Sequence, residues 1–318
     1  MTLTAVNNFF SRLDAPDQGL GQIALSGEDA RQFLHNQISN DVEHMTPDEA
    51  RLAAYCSPKG RMLASFLLWQ TDDILTLQLP RDILPAIQKR LQMFVMRAKV
   101  KLSDESANWT TFGLFGPALS QVFAQLPAKP YAVLHDACGV LIRLEDLDGM
   151  PRCLCMSPAG EADALMLRLR LHLQELPASD WRLTDIRAGV PHVGLATQDQ
   201  FFPQMLNFEL IGGVNFKKGC YPGQEIVARS QYLGKLKRRM LLARVAGQTA
   251  PGTEVFSALD PEQPCGMIVN AESHSANEST CLVALKLAAV QDGAIHLGSA
   301  DGAILQFDSL PYPLTDPA

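Results

Sequence analysis

The sequence predicts an α+β fold in which two α+β regions are followed by a small C-terminal β-barrel, and three observations carry that prediction. The 318 residues, 47% hydrophobic and 19% charged, suffice for a sizeable core and for roughly two domains. Apolar strands alternate with single helices from about residue 51 to residue 176, in two similar sets. From Met240 onward the texture changes to short apolar runs broken by Gly, Pro, Asp and Asn, at spacings typical of all-β domains. The corresponding stretches are 1–108, 109–239 and 240–318.

The first helix is expected in LSGEDARQFLHNQISNDV. Ser26 can cap it, Glu28 and Asp29 suit its first turn, and Ala30, Phe33, Leu34 and Ile38 share one face. RLAAYCSPKGRMLASFLLWQ and ILTLQLP then read as two strands joined by a polar hairpin turn at Thr71, Asp72 and Asp73. A helix from about Arg81 to Phe94 leads into the alternating strand RAKVKLSD. In the second set, running from Trp109 to Leu176, DALMLRLRLHLQEL is the clearest helix. The barrel follows in MLLARVA, EVFSA, CGMIVNAE, CLVALKL, AIHLG and AILQF.

Several functional classes are disfavoured. Neither GxGxxG nor GxxxxGKS occurs, which argues against nicotinamide and ATP chemistry. The net charge of −7 repels phosphate backbones and anionic membranes, so any nucleic-acid contact requires a local basic patch. With no leader-like N-terminus and no long apolar run, a soluble cytoplasmic protein is expected. Seven cysteines, odd in number and without CxxC spacing, read as reduced thiols. Cys153 and Cys155 in RCLCM point to one face of a strand, which suits a core better than a metal site, because two ligands do not make a site. The seven histidines lack HxxxH and HExxH spacing, so no metal set is expected.

Chemistry concentrates in FELIGGVNFKKGCYPGQEIVARSQYLGKLKRR, residues 208 to 239. Gly212, Gly213, Gly219 and Gly223 allow a tight turn and close approach of backbone to a ligand. Pro222 suits the first turn of a helix continued by Glu225, Ile226, Val227, Ala228 and Arg229. A thiol before a helix start, with Lys217 and Lys218 beside it in sequence, has two reasons to favour its thiolate form. Cys220 therefore reads either as a reactive or ligating thiol or as a small residue in a Gly-rich turn. Lys217, Lys218, Arg229, Lys235, Lys237, Arg238 and Arg239 face a single acid, Glu225, over a stretch where the chain average would place about two cations. That strip suits a polyglutamyl tail, a phosphate or RNA, and equally a solvated basic face.

KKGCYPGQE closely resembles the K-G-C-[FY]-x-G-Q-E signature of the YgfZ family, relatives of the glycine-cleavage T protein (aminomethyltransferase). LSGEDARQFLHNQISNDV, AAYCSPKGRMLASF and WRLTDIRAGVPHVG resemble further family segments, so the likeness covers most of residues 20 to 240. The resemblance implies two α+β, ferredoxin-like domains of the T protein fold plus the barrel. It also implies a cytoplasmic protein that binds tetrahydrofolate or another reduced folate and assists iron–sulfur cluster assembly or repair. Its clients would be iron–sulfur enzymes such as radical tRNA methylthiotransferases, which connects the family to tRNA modification. Cys220 would be the functional thiol. Tyr221, Gln224 and Glu225 complete the signature and count with Lys217, Lys218 and Arg229 as candidate cofactor contacts, the three cations meeting carboxylate or phosphate.

Trp181 stands where bacterial members carry a folate-associated tryptophan, and an indole is suited to stack on a pterin. Three departures accompany the likeness. A second family tryptophan aligns near Leu20. Residues 61 to 66 contain no carboxylate where the transferases place one, which removes an acid–base partner for aminomethyl transfer. Arg187 in RAG stands where many relatives have Glu, exchanging an acceptor of pterin hydrogen bonds for a donor. The leading expectation is thus a folate-binding helper rather than a turnover enzyme. The alternatives are a folate-dependent one-carbon transferase and a direct tRNA-binding module using residues 217 to 239.

Overall fold

The computed structural model describes residues 7–232, 236–275 and 277–315. In chain order its elements begin with β1 (Phe9–Arg12), β2 (Leu20–Ser26), α1 (Ala30–His35), β3 (Arg51–Cys56), β4 (Met62–Thr71), β5 (Ile74–Pro80), α2 (Leu84–Val95) and β6 (Lys101–Asp104). They continue with β7 (Trp109–Phe115), α3 (Leu119–Val122), β8 (Val133–Asp136), β9 (Gly139–Arg143), β10 (Arg152–Pro158), α4 (Ala162–Leu169), β11 (Gln174–Glu175) and α5 (Ala178–Arg187). After two 3-10 turns come α6 (Gln224–Tyr232), β12 (Arg238–Ala246), β13 (Glu254–Ser257), β14 (Asp260–Ser275), β15 (Glu278–Lys286), α7 (Leu287–Asp292), β16 (Ile295–Leu297) and β17 (Leu305–Asp308).

The chain forms two compact units, and neither is continuous in sequence. The first comprises the stretch up to His35, Asp41–Leu52 and Phe66–Trp181; the second comprises Asn36–Asn40, Ala53–Ser65 and Arg182 onward. These units cut across the stretches 1–108, 109–239 and 240–318. The chain enters the second unit twice, briefly, before residue 66, a property that no hydropathy pattern signals.

In the first unit, one sheet has the order β11-β1-β7-β10-β9-β8. Its core joins Phe10, Phe112, Leu114, Cys153 and Cys155 to Leu165 and Leu169, an i,i+4 pair on α4. Both cysteines of RCLCM are thus packing residues on one strand face. The helix expected over DALMLRLRLHLQEL stops at Leu169, and Gln174 and Glu175 instead pair in parallel with Phe9 and Phe10. Leu173, in the intervening turn, still reaches the core, so the apolar period continues where the helix does not.

A second sheet has the order β3-β4-β5-β2-β6, and α2 packs on β2 and β6 through Leu84, Ile87 and Leu91. The apolar run 51–70, expected as one strand, is two, because Ser57-Pro58-Lys59-Gly60 turns the chain. Gly60 N–H donates to Ser57 O at 2.8 Å, with Gly60 at φ 75°. Pro in second and Gly in fourth place are the turn chemistry that marks such a reversal. The expected turn at residues 71–73 is present, with Asp72 at φ 51°. Ser26 does not cap α1. It ends β2, and Asp29 takes the cap position, its backbone carbonyl accepting from Phe33 N–H at 2.8 Å.

In the second unit, the strands from Arg238 onward form one six-stranded sheet, β16-β13-β14-β15-β12-β17. The long β14 pairs with both β13 and β15 and shifts register against each, the irregularity that lets a sheet curl. Cys265 and Cys281 lie in its core with Val255, Ile268, Val283 and Leu285. This is the small β domain that the change of texture at Met240 predicts.

Candidate functional site

The loop that carries Cys220 is assembled within the second unit, and its shape is imposed from outside its own sequence. Ser39 Oγ donates to Gly213 O at 2.6 Å while accepting from Ala54 N–H at 2.7 Å. Asn40 Nδ2 donates to Gly212 O at 2.8 Å, and Asn215 N–H donates to Ser39 O at 2.9 Å. The short insertion Asn36–Asn40 thus fixes residues 212–215 by three hydrogen bonds of Ser39 and Asn40, and Ser39 Oγ is itself held by Ala54 N–H. Gly212 has φ 79°, whereas Gly213 is required for space: a Cβ there would lie 2.2 Å from the Phe208 ring.

On the other side of the thiol, two glycine turns meet backbone to backbone. A Cβ on Gly223, at φ 81°, would lie 2.4 Å from Ser57 O and 2.7 Å from Gly60 Cα. A Cβ on Gly60 would in turn press on Ile226 of α6 at 2.9 Å. Gly223 O accepts from Val227 N–H, and Tyr221 N–H reaches Gln224 Oε1 at 3.3 Å, so the start of α6 is tied back to the residue after Cys220. Pro222, expected within the helix, sits in the turn just before Gln224, where its lack of N–H costs no helical bond.

Cys220 itself is exposed, and among the described residues it is the one cysteine that is; Cys56, Cys138, Cys153, Cys155, Cys265 and Cys281 are all buried. Burial pushes the thiols of Cys56, Cys153 and Cys281 up to about 12 and raises those of Cys138, Cys155 and Cys265 as well. Tyr221, next in sequence, turns inward beside Cys56. Burial first, and then the Cys56 thiol, push its phenol above the ordinary tyrosine range.

Lys218 is also turned inward, at 8% exposure. Its Nζ donates to Ile38 O at 2.9 Å and lies 4.9 Å from the centre of the Tyr221 ring. Lys217, adjacent in sequence, points to solvent while its N–H bonds Asn215 Oδ1. Glu225 in the first turn and Arg229 in the last turn of α6 are exposed, and Gln224 is half-buried.

The basic strip read from 217 to 239 does not become one surface. Lys217, Arg229 and Lys237 are exposed, Arg238 is half-buried, and Lys235 lies outside the described residues. Arg239 is 2% exposed, ion-paired to Glu209, and donates to Gln204 O and Thr315 O. A cation within a strand follows the pleat, and at Arg239, the second residue of β12, the side chain is turned inward.

Trp181 belongs to the first unit, on α5, and is 1% exposed. Gly113 of β7 lies against the indole, where a Cβ would come within 2.2 Å of Cδ2, and the Arg152 guanidinium stands 5.0 Å from the ring centre. Ser11 Oγ donates to Pro177 O at 3.0 Å, anchoring the approach to α5. Leu20 opens β2, half-buried and paired with Pro80. Arg187 is half-buried in the last turn of α5, where a cation complements the helix dipole.

Sequence reasoning missed Ser39, Asn40, Gly60 and Arg152. Gly60 had a signal in its turn chemistry, and the polar run HNQISND after an apolar helix face was a signal for Ser39 and Asn40. It also missed a pair in the second unit: His192 Nε2 lies 3.2 Å from Asp185 Oδ2, while the His192 backbone exchanges two hydrogen bonds of 2.9 Å with the Asn270 amide. Among the described residues, no group of three or more His, Cys, Asp and Glu side chains is arranged to hold a metal ion. No helix among them is long and apolar enough to cross a membrane.

No protein-family model matches the chain. Over 231 residues, 71% of its length, it is 29% identical to the tRNA-modifying protein YgfZ of Escherichia fergusonii, 70% of which the match covers. Its fold matches the glycine cleavage system aminomethyltransferase T from Bartonella henselae with a TM-score of 0.76, over 97% of this chain and 87% of that one. At 14% identity this second likeness is one of fold.

Proposed function

We propose that this homologue of the tRNA-modifying protein YgfZ, built on the aminomethyltransferase T fold, is a cytoplasmic accessory factor for iron–sulfur proteins, with Cys220 as its working thiol. The clients would include iron–sulfur enzymes that modify tRNA. The observation that carries the proposal is the contrast among the cysteines: six are buried with raised thiol pKa values, and Cys220 is exposed on a loop whose backbone is pinned at both ends. An exposed thiol in a fixed backbone can meet a partner sulfur, iron or oxidant without unfolding the loop. A buried thiol of raised pKa cannot.

Folate binding is the second part of the proposal, and its named residues fit a stacked pterin poorly. Trp181 offers no open ring face at 1% exposure, Leu20 has no ring, and Arg187 only donates hydrogen bonds. No step of the thiol chemistry is therefore routed through folate. When bound, a reduced folate would supply one-carbon or reducing chemistry. Lys217 and Arg229, both exposed, would be the cations that meet its carboxylates.

Two experiments test the two parts separately. Cys220→Ala, expressed in cells lacking the native gene, should leave a client's cluster content and tRNA methylthiolation at the empty-vector level. Full rescue by the variant overturns the thiol role. Anaerobic titration of tetrahydrofolate, followed by calorimetry and by tryptophan fluorescence, should give saturable binding that Trp181→Phe leaves unchanged, because the buried indole takes no part in it. Absence of heat and of a fluorescence change at millimolar folate removes folate from the proposal and leaves the thiol untouched.

A further inference from the structure

In the first unit, the C-terminal end of α2 carries a surface that the packing of the helix does not explain. The helix buries Leu84, Ile87 and Leu91, yet Met93, which follows Leu91 by about 200° of helical turn, is 62% exposed. Phe94 is 44% and Met96 87% exposed. Single exposed apolar side chains are ordinary, but three large ones within residues 93–96 form a patch. Met96 also holds φ 44°, a backbone angle that costs a residue with a side chain free energy.

The charge around this patch is of one sign. Residues 89–101 include Lys89, Arg90, Arg97, Lys99 and Lys101 and no Asp or Glu, in a chain of net charge −7. Arg90 lies over the Phe94 ring at 5.8 Å from its centre, and Arg97 follows Phe94 by three positions. Of the acids that face this stretch, Glu28 pairs with Lys99, Asp29 accepts the Lys99 backbone N–H, and Glu105 lies within electrostatic reach of Lys101. These three acids meet the far end of the stretch rather than Arg90 and Arg97.

We propose that the end of α2, from Lys89 to Arg97, is a docking surface for a segment of a partner protein that carries both acidic and apolar side chains. Met, Phe and Arg are the side chains enriched at the centres of protein interfaces, and methionine adapts its shape to varied apolar partners. RNA is the poorer fit: Met93 and Met96 offer no ring to a base, and Arg90 already stands over the ring of Phe94. A lipid surface is also the poorer fit, because a helix lying in a membrane interface inserts its continuous apolar face, and α2 spends that face on the sheet. Neither Cys220 nor folate enters this docking role.

A fluorescein-labelled synthetic helical peptide, with glutamates on one face and leucines on the other, tests the surface by polarisation against the full chain. Hydrogen exchange of residues 89–101 locates the binding. The controls are a scrambled peptide of the same composition, single-stranded RNA and phosphatidylglycerol vesicles. Saturable binding is expected, at least tenfold tighter than for the scramble, with protection at residues 89–101. It should weaken tenfold or more in Met93→Ser/Phe94→Ser and, separately, in Arg90→Gln/Arg97→Gln, both checked for an unchanged melting temperature. Equal affinity for the scramble, indifference to both variants, protection elsewhere, or preference for RNA or vesicles overturns the proposal.

Discussion

The surroundings of Cys220 and of Trp181 use glycine in opposite ways. Around Cys220, Gly223 and Gly60 let two backbones touch, and the side chain between the pinned segments is left in solvent. Around Trp181, Gly113 clears room for an indole, and the side chain is taken out of solvent altogether. The first arrangement makes a residue available; the second uses one up in packing. Two residues singled out by the same family resemblance are therefore not equivalent as chemistry.

Substitutions can break or sharpen that contrast. The largest effects fall on the two residues themselves. Cys220→Ala should abolish client maturation while changing stability by less than about 0.5 kcal/mol, as expected for an exposed site. Trp181→Ala should lose about 3–5 kcal/mol of stability, read by urea unfolding. If Trp181→Ala were neutral to stability and lost only folate binding, the indole would be a ligand platform after all.

Gly223→Ala comes next. Its Cβ meets backbone rather than a movable side chain, and its φ is 81°, so the left-handed penalty and the clash together should cost about 3 kcal/mol. Gly113→Ala, at ordinary φ but 2.2 Å from the indole, should cost about 1–3 kcal/mol and shift tryptophan emission. Lys218→Met should cost about 1–2 kcal/mol by leaving Ile38 O without its charged donor. Gly212→Ala, with φ 79° but open space, should show only the conformational part, about 1 kcal/mol.

The smallest perturbation is a labelling experiment that changes no residue. In the native protein a maleimide should modify one thiol, and in urea all seven. At pH 8 a thiol pushed up to about 12, such as that of Cys56, holds about one part in ten thousand as thiolate and is sterically closed as well. Rapid native labelling of a second cysteine would show that part of the core opens, at a strand or at the β8–β9 turn that holds Cys138, and would weaken the singular position of Cys220.

Apolar period and turn residues were enough to place β5, α2, β6 and the barrel texture after Met240, because each of these is encoded by neighbours within a few residues. Cys153 and Cys155 were legible as core for the same reason: a strand's period puts both on one face. The tertiary structure alone decided which side of the surface each residue faces. Lys218 and Arg239 read as cations of one strip, yet each finds a buried acceptor, Ile38 O for one and Glu209 for the other. The shape of the thiol loop depends on Ser39 and Asn40, more than 170 residues away in the chain. Such contacts are set by how distant segments close-pack, where a single carbonyl or missing Cβ directs a side chain inward or outward, and a linear pattern holds no record of that.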